Sequence, residues 1–394
     1  MGPGLFLAQG GGNLVLNCDS HHNYDPKSSS GAGTNADGFG CHTGTGATGN
    51  VFRGCRAYFN SDDGYDFIQA QEPVIVEDSW AWSNGYLPDT TMASGGDGNG
   101  FKAGGYGLPA QNSPSNPPSH TVRRCVAFSN RSSGFYANHH PVADHIYNNS
   151  SFRNAAANYN MLGLNGNVGI LRNNVAYGGT ALSNGGGIDA AKNSWNAGFM
   201  VSDADFESVS PKGMDGPREP DGSLPHVPFL QLKQASDLID TGEDVGLPYV
   251  GAAPDLGAYE FGVAAGSGSV PSPAAGAAGQ SAPQPASPGA AGTASNPASG
   301  RGARAGTGDG AAGVGAAGSK SLVAANGGTS TANGNAGSAG DPTLTMPDPI
   351  SSQASDAGGC NCQAAPAAAT DLTSAMLYVL ALAWTRLRRA RGHD

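Results

Sequence analysis

The sequence predicts an all-β chain built as a single-stranded parallel β-helix, a solenoid followed by a disordered linker and a short C-terminal hydrophobic segment. Two repeated columns and one break in composition predict it. Segments ending at Asn23, Asn60, Asn84, Asn130 and Asn154 recur at intervals of 37, 24, 46 and 24 residues, and a sixth copy ends at Gly178, 24 further on. Five positions before these ends stand Cys18, Cys55, Ser79, Cys125, Asn149 and Asn173. A second column aligns Gly38-Phe39, Gly64-Tyr65, Gly100-Phe101 and Gly134-Phe135, with Asn158-Tyr159 extending it. A period of 24 with short alternating strands is the mark of coils that stack only on their neighbours. A leucine-rich repeat needs Leu columns that are missing here, and the strands of a β-sandwich need not keep register.

The elements follow in order. Asn and Gly suit the corners because both tolerate left-handed backbone, and a buried Asn can bond its copy one coil away. Stretches 24 to 36, 87 to 98 and the Pro-rich 108 to 119 lengthen the longer intervals and are expected to leave the stack as loops, where repeat proteins often bind. Cys18, Cys55 and Cys125 share a column and read as small buried filler. A Cys18–Cys55 disulfide is the alternative if those coils adjoin, and no cysteine spacing fits zinc.

The repeat domain is expected over 1–262. From 263 to 357 the chain is Ala, Gly, Ser and Pro with no aromatic residue, which cannot bury enough surface to offset chain entropy and reads as a linker. Residues 358–394 carry G-G-C-N-C-Q, an apolar run from Leu372 to Trp384 and an Arg-rich end. The run is shorter than the roughly 20 residues of a membrane span. This three-part order resembles C-terminal sorting signals of the myxosortase-processed type. The resemblance implies export, removal of the hydrophobic tail near Cys360 or Cys362, and attachment at the cell surface, with a plain membrane anchor as the alternative. The opening residues have no basic stretch and too short an apolar run for a leader. By Asn13 the chain is inside a repeat, so the expectation is a start within a longer solenoid.

The aligned columns also collect chemistry. Asp37 and Asp63 precede the Gly-aromatic pair on successive repeats, Asp62 adjoins Asp63, Asp66 follows the pair on the same repeat as Asp63, and Lys102 follows it on the next. With coils roughly 4.8 Å apart, Asp66 and Lys102 become neighbours. Carboxylates so close repel one another without a cation, and an all-oxygen set favours calcium over zinc. The plainer alternative is that these Asp residues only cap solenoid turns. Asn138, His139 and His140 follow the Gly134-Phe135-Tyr136 turn and read as sugar contacts or as loop residues. Arg56, beside Cys55, reads as a uronate ligand or a bond to a neighbouring turn.

A net charge of −11, without a basic cluster among aromatics, argues against nucleic acid. An acidic polysaccharide is admissible only if a divalent cation offsets the local charge.

The strings N-A-D-G-F, G-N-V-F-R-G-C-R-A, N-S-D-D-G-Y-D and G-N-G-F-K, with A-P-D-L-G-A-Y-E near the end, resemble the family nine polysaccharide lyases from about Asn13 to Phe261. These are calcium-dependent pectate lyases with a right-handed parallel β-helix. The resemblance implies calcium on Asp37, Asp62, Asp63 and Asp66, with Lys102 as the Brønsted base. The implied reaction is β-elimination of 1,4-linked galacturonan (pectate or polygalacturonate), in which the C5 proton beside the uronate carboxylate is removed. The chain is then expected to act as a secreted, surface-attached monomer. Two other classes stay open: a polygalacturonase-like hydrolase using paired Asp without Lys102, and a non-catalytic carbohydrate-binding solenoid.

Overall fold

The chain is described by a computed structural model over residues 2–109, 112–196 and 198–263 and the short strand Gly359–Cys362. These residues belong to one of two compact units, Met1–Ala277 with Met346–Asp394. The expected linker and most of the C-terminal signal, including the apolar run, lie outside the described residues.

The fold is a parallel β-helix. One sheet stacks Leu5–Leu7, Phe39–Cys41, Tyr65–Asp66, Phe101–Lys102, Ser133–Tyr136, Ala157–Asn160 and Leu182–Ser183. A second stacks Leu14–Leu16, Asn50–Arg53, Val74–Glu77, Thr121–Arg123, His145–Tyr147, Ile170–Arg172 and Asp189–Ala191. The third runs from Cys18–His21 through Arg56–Tyr58, Trp80–Trp82, Val126–Phe128 and Ser150–Phe152 to Val175–Tyr177, with Gly359–Cys362 antiparallel on its Cys18 edge. Each of the first six coils contributes one strand to each sheet, and the seventh adds Leu182–Ser183 and Asp189–Ala191 to the first and second. Among the described residues, helix is limited to the 3₁₀ turn Asp203–Asp205.

The Gly-aromatic column becomes a ring stack through the interior. Phe39, Tyr65, Phe101, Phe135 and Tyr159 follow one another at centroid separations of 5.0, 4.7, 5.0 and 4.9 Å. Such pairs contribute about 0.5–1.5 kcal/mol each beyond the area they bury. The preceding glycines are required by contact: a Cβ on Gly64 would meet the carbonyl oxygen of Gly100 at 2.6 Å.

The Asn column becomes a hydrogen-bonded ladder. Asn23 Nδ2 donates to Asn60 Oδ1 at 2.8 Å, Asn60 to Asn84 at 3.0 Å, Asn84 to Asn130 at 2.9 Å and Asn130 to Asn154 at 2.8 Å. The left-handed backbone expected at these residues falls one place earlier, on Phe59, Ser83, Ser129 and Arg153 with φ of 49 to 52°. The Asn is selected for its amide, which pairs with the next coil, rather than for its backbone freedom.

The sixth copy is also shifted by one. Asn149 bonds Asn174 at 3.0 Å instead of Asn173, and Arg153, rather than Asn154, corresponds to Gly178 in the corner. Cys41, Cys55 and Cys125 are free and buried, as filler thiols should be. Cys18 is disulfide-bonded, so its partner is none of these three and the Cys18–Cys55 alternative does not form.

Residues after 198 cover the outside of the third sheet. Phe206, Phe229, Leu238 and Leu256 pack on Trp80, Trp82, Phe128 and Phe152. The carboxylate cluster belongs to the first sheet, whereas the described residues of this cover pack on side chains of the third.

Candidate active site

Lys102 pairs in register with Asp66 on one side and Tyr136 on the other. Its side chain is 9% exposed, and Nζ lies 3.0 Å from Asp63 Oδ2, 3.4 Å from Asp66 Oδ2 and 3.0 Å from Asp97 Oδ2. The ammonium therefore occupies the middle of the carboxylates. Burial alone would lower its pKa, but Asp63, Asp66, Asp97 and Asp37 together raise it well above the ordinary lysine value.

The acids are held by backbone N–H groups. Asp37 Oδ1 accepts from Asp63 N–H at 3.0 Å, Asp66 Oδ1 from Ile68 N–H at 2.8 Å, and Asp63 Oδ1 from Asn99 N–H at 2.7 Å and Asn99 Nδ2 at 2.9 Å. Asp62 accepts from Asn35 N–H and Asp97 N–H, both at 2.5 Å, so it also ties together the ends of the two insertions that flank it. Asp37, Asp62 and Asp63 are buried. Burial raises the pKa of all three, and the neighbouring carboxylates push those of Asp37 and Asp63 further, well above the usual range.

Oxygens of Asp37, Asp63 and Asp66 lie within 4.8 Å of one another, and so do those of Asp62, Asp63 and Asp97. Asp63 is common to both groups. Its Oδ2 is buried and accepts no well-directed hydrogen bond; the contact with Lys102 at 3.0 Å is therefore an ion pair held by charge. A buried carboxylate oxygen left without a directed donor, in an excess of acids over one ammonium, fits a hard cation with oxygen ligands.

Asp97 was not among the sequence candidates. It sits in the 87 to 98 insertion, outside both aligned columns, and only its place five residues before Lys102 pointed to it.

The other candidates separate. Asn138 and His139 are half-buried at the coil after Lys102; Asn138 Nδ2 donates to Gly104 O at 2.7 Å, and the His139 ring meets Tyr136 edge-on at 6.2 Å. His140 is 0% exposed, so it offers no atom to a polymer. Arg56 lies on the third sheet, where it pairs with Asp19 at 2.5 Å and donates to Met214 O and Gly216 O at 3.0 and 2.8 Å. Its charge anchors the C-terminal cover instead of facing the cluster, because its strand belongs to a different wall of the coil.

Residues 1–174 match the family model described as Pel9A-like, right handed beta helix region. The chain is 40% identical over 264 residues to pectate lyase L of Dickeya chrysanthemi, covering 65% of this chain and 58% of that protein. It is 35% identical over 248 residues to pectate lyase L of Paenibacillus polymyxa (strain SC2), covering 59% and 51%. A crystal structure of pectate lyase Pel9A superposes with a TM-score of 0.57 at 36% identity, over 66% of this chain and 62% of that one. A rhamnogalacturonan lyase structure gives 0.53 at 38% identity, over 58% and 60%. The chain thus spans a little under three fifths of the length of the first of these relatives. Over its solenoid, the chain is a right-handed parallel β-helix similar in sequence and structure to polysaccharide lyases of the Pel9A kind.

Proposed function

We propose that this chain is a pectate lyase that cleaves 1,4-linked galacturonan by β-elimination, with Lys102 as Brønsted base and calcium held by Asp37, Asp62, Asp63 and Asp66. The observation that carries the reading is the position of Lys102, one coil beyond Asp66 with Nζ 3.0 Å from the shared ligand Asp63. When bound by these four aspartates, calcium would supply positive charge that offsets the carboxylates now holding Lys102 as an ammonium and that stabilises the charge developing on the uronate.

The neutral amine of Lys102 takes the C5 proton. The electron pair left at C5 forms the C4–C5 double bond as the C4–O bond breaks, and the departing oxygen takes a proton from water. Asn138 and His139, on the coil after Lys102, contact the sugar on that side. Paired-Asp hydrolysis explains neither a buried lysine among the acids nor the likeness to lyases. A rhamnogalacturonan backbone is the second substrate reading, favoured by the likeness to the rhamnogalacturonan lyase structure. The tail's three-part order supports secretion and attachment of the enzyme at the outer surface.

Lys102→Ala is to be assayed beside the parent on polygalacturonate and on rhamnogalacturonan with added calcium, following the ultraviolet absorbance of the unsaturated product. Loss of a general base costs about 10²–10⁴-fold. Equal rates for the two proteins remove the proposed base, and absence of unsaturated product from the parent on both polymers ends the lyase reading.

A further inference from the structure

Beyond Ala103, whose N–H still donates to Tyr136 O on the next coil, the chain runs outside the sheet strands until it returns at His120. His140, buried one coil further on, reaches both ends. Its Nδ1 accepts the N–H of Gly105 at 2.9 Å, and its Nε2 lies 2.7 Å from the carbonyl oxygen of Pro118. A neutral imidazole that accepts at one nitrogen carries its hydrogen on the other, so Nε2 donates to Pro118. The fit is close: a Cβ on Gly104 would stand 2.3 Å from Nδ1.

The same end of the excursion is stitched to the preceding coil. Tyr106 stacks on the His140 ring at 5.7 Å and its hydroxyl donates to Ala70 O at 2.9 Å, while Gln69 N–H donates to Gly105 O at 2.7 Å. Gln69 and Ala70 continue the coil that carries Asp66.

His120, His140 and Asp144 present ligand atoms within 4.8 Å of one another, which invites a metal. His120 Nδ1, however, accepts Val74 N–H at 3.2 Å. Both imidazoles then carry hydrogen on Nε2, and neither can give that nitrogen to a cation.

The geometry points to His140 as a positioning residue for the lyase reaction: from the coil after Lys102 it clamps Gly105 to Pro118, while Gln69 and Tyr106 tie the same end to the coil of Asp66, and the clamp so sets the groove wall beside Lys102 without touching substrate. This rests on the lyase reading above. The strand of Lys102 is held separately, through Phe135 and Tyr136, so loss of the clamp weakens polymer binding and leaves the chemical step in place.

His140→Phe keeps a ring against Tyr106 and lacks both nitrogens. His140→Gln keeps one acceptor and one donor on an unringed chain. The readouts are KM and kcat on polygalacturonate and the rate of cleavage after residue 106 by a protease that cuts beyond aromatic side chains, a bond shielded while Tyr106 is buried against the His140 ring. His140→Phe should raise KM about tenfold with kcat changed less than about twofold, and should speed cleavage; His140→Gln should restore most of both. Parent-like KM and cleavage in His140→Phe, or equal impairment in the two variants, overturns the clamp. If His140→Phe does not fold, Tyr106→Phe removes only the bond to Ala70 and must still raise KM and cleavage; unchanged values there overturn it too. Cleavage needs no turnover, so a failed lyase assay and a failed clamp give different results.

Discussion

Asp97 Oδ2 and Lys102 Nζ stand 3.0 Å apart, as close as the buried Asp63 is on the other side, although the Asp97 side chain is 60% exposed. The backbone N–H of Asp97 meanwhile donates to Asp62. The insertion therefore brings an extra carboxylate back to the cluster and fixes it there at both main chain and side chain. In this arrangement Lys102 is an ammonium serving as the counter-charge of the acids.

Removing that exposed charge should make Lys102 easier to deprotonate. Asp63 and Asp66 remain in Asp97→Asn, so Lys102 stays raised but less so, and the alkaline-going rise in kcat/KM moves to lower pH. An exposed ion pair is worth roughly 0–1 kcal/mol, which limits the movement to under about one pH unit. A pH–rate profile with saturating calcium measures it. A rise that stays put or moves to higher pH would count against Lys102 as the titrating base.

The buried acids also set how stability depends on pH. Asp37, Asp62 and Asp63 have pKa values raised above the ordinary carboxylate value by burial first. An acid whose folded pKa is raised favours folding below its unfolded pKa, about 3.9, and that contribution is lost as pH climbs through the folded values. Chelator-treated protein should therefore melt at progressively lower temperature as pH rises from about 4, for as long as these groups are ionising. Calcium should restore more at neutral pH than at pH about 4, because it binds the ionised form. Melting curves with and without chelator decide this; a calcium shift that is the same at both pH values would sink the shared-ion reading.

The Asn ladder should be costly to interrupt. Asn84 is fully buried; it donates to Asn130 Oδ1 and Ala57 O and accepts from Asn60 through its backbone N–H and Nδ2. Asn84→Ala leaves several of these groups unpaired in the interior, at about 1–3 kcal/mol for each. The variant should lose at least about 3 kcal/mol in a reversible denaturation experiment. A loss under about 1 kcal/mol would mean that water or a shifted neighbour replaces the amide.

Much of this was legible because a solenoid turns sequence period into contact. Phe39, Tyr65, Phe101, Phe135 and Tyr159 align by eye and stack in fact, and the same alignment places Asp66 beside Lys102. What the columns could not carry was anything entering from an insertion, where period is lost: Asp97 at the cluster, and the ends of the excursion held by His140. Arg56 illustrates a second limit. Its residue type fits a uronate, but the wall of the coil it occupies follows from its strand and not from its charge. His140 shows a third, since adjacency to Asn138 and His139 says nothing about which side chain turns inward.

The glycine that precedes the Lys102 strand offers the most direct test that coil spacing positions the chemistry. A Cβ on Gly100 would stand 2.6 Å from the carbonyl oxygen of Gly134 and 2.9 Å from Asn130 Nδ2. The carbonyl is backbone paired to its own neighbours, so it cannot turn away as a flexible side chain could. Gly100→Ala must separate the two coils locally, and Phe101 and Lys102 move with the displaced one. Misplacement of a reacting group by about 1 Å costs on the order of 10²-fold in rate. We therefore expect kcat to fall by about that factor together with a lowered melting temperature, whereas Gly44→Ala, whose Cβ meets nothing within 4 Å, should behave as the parent. Parent-like kcat in a folded Gly100→Ala protein would show that Lys102 does not depend on the stacking distance for its position.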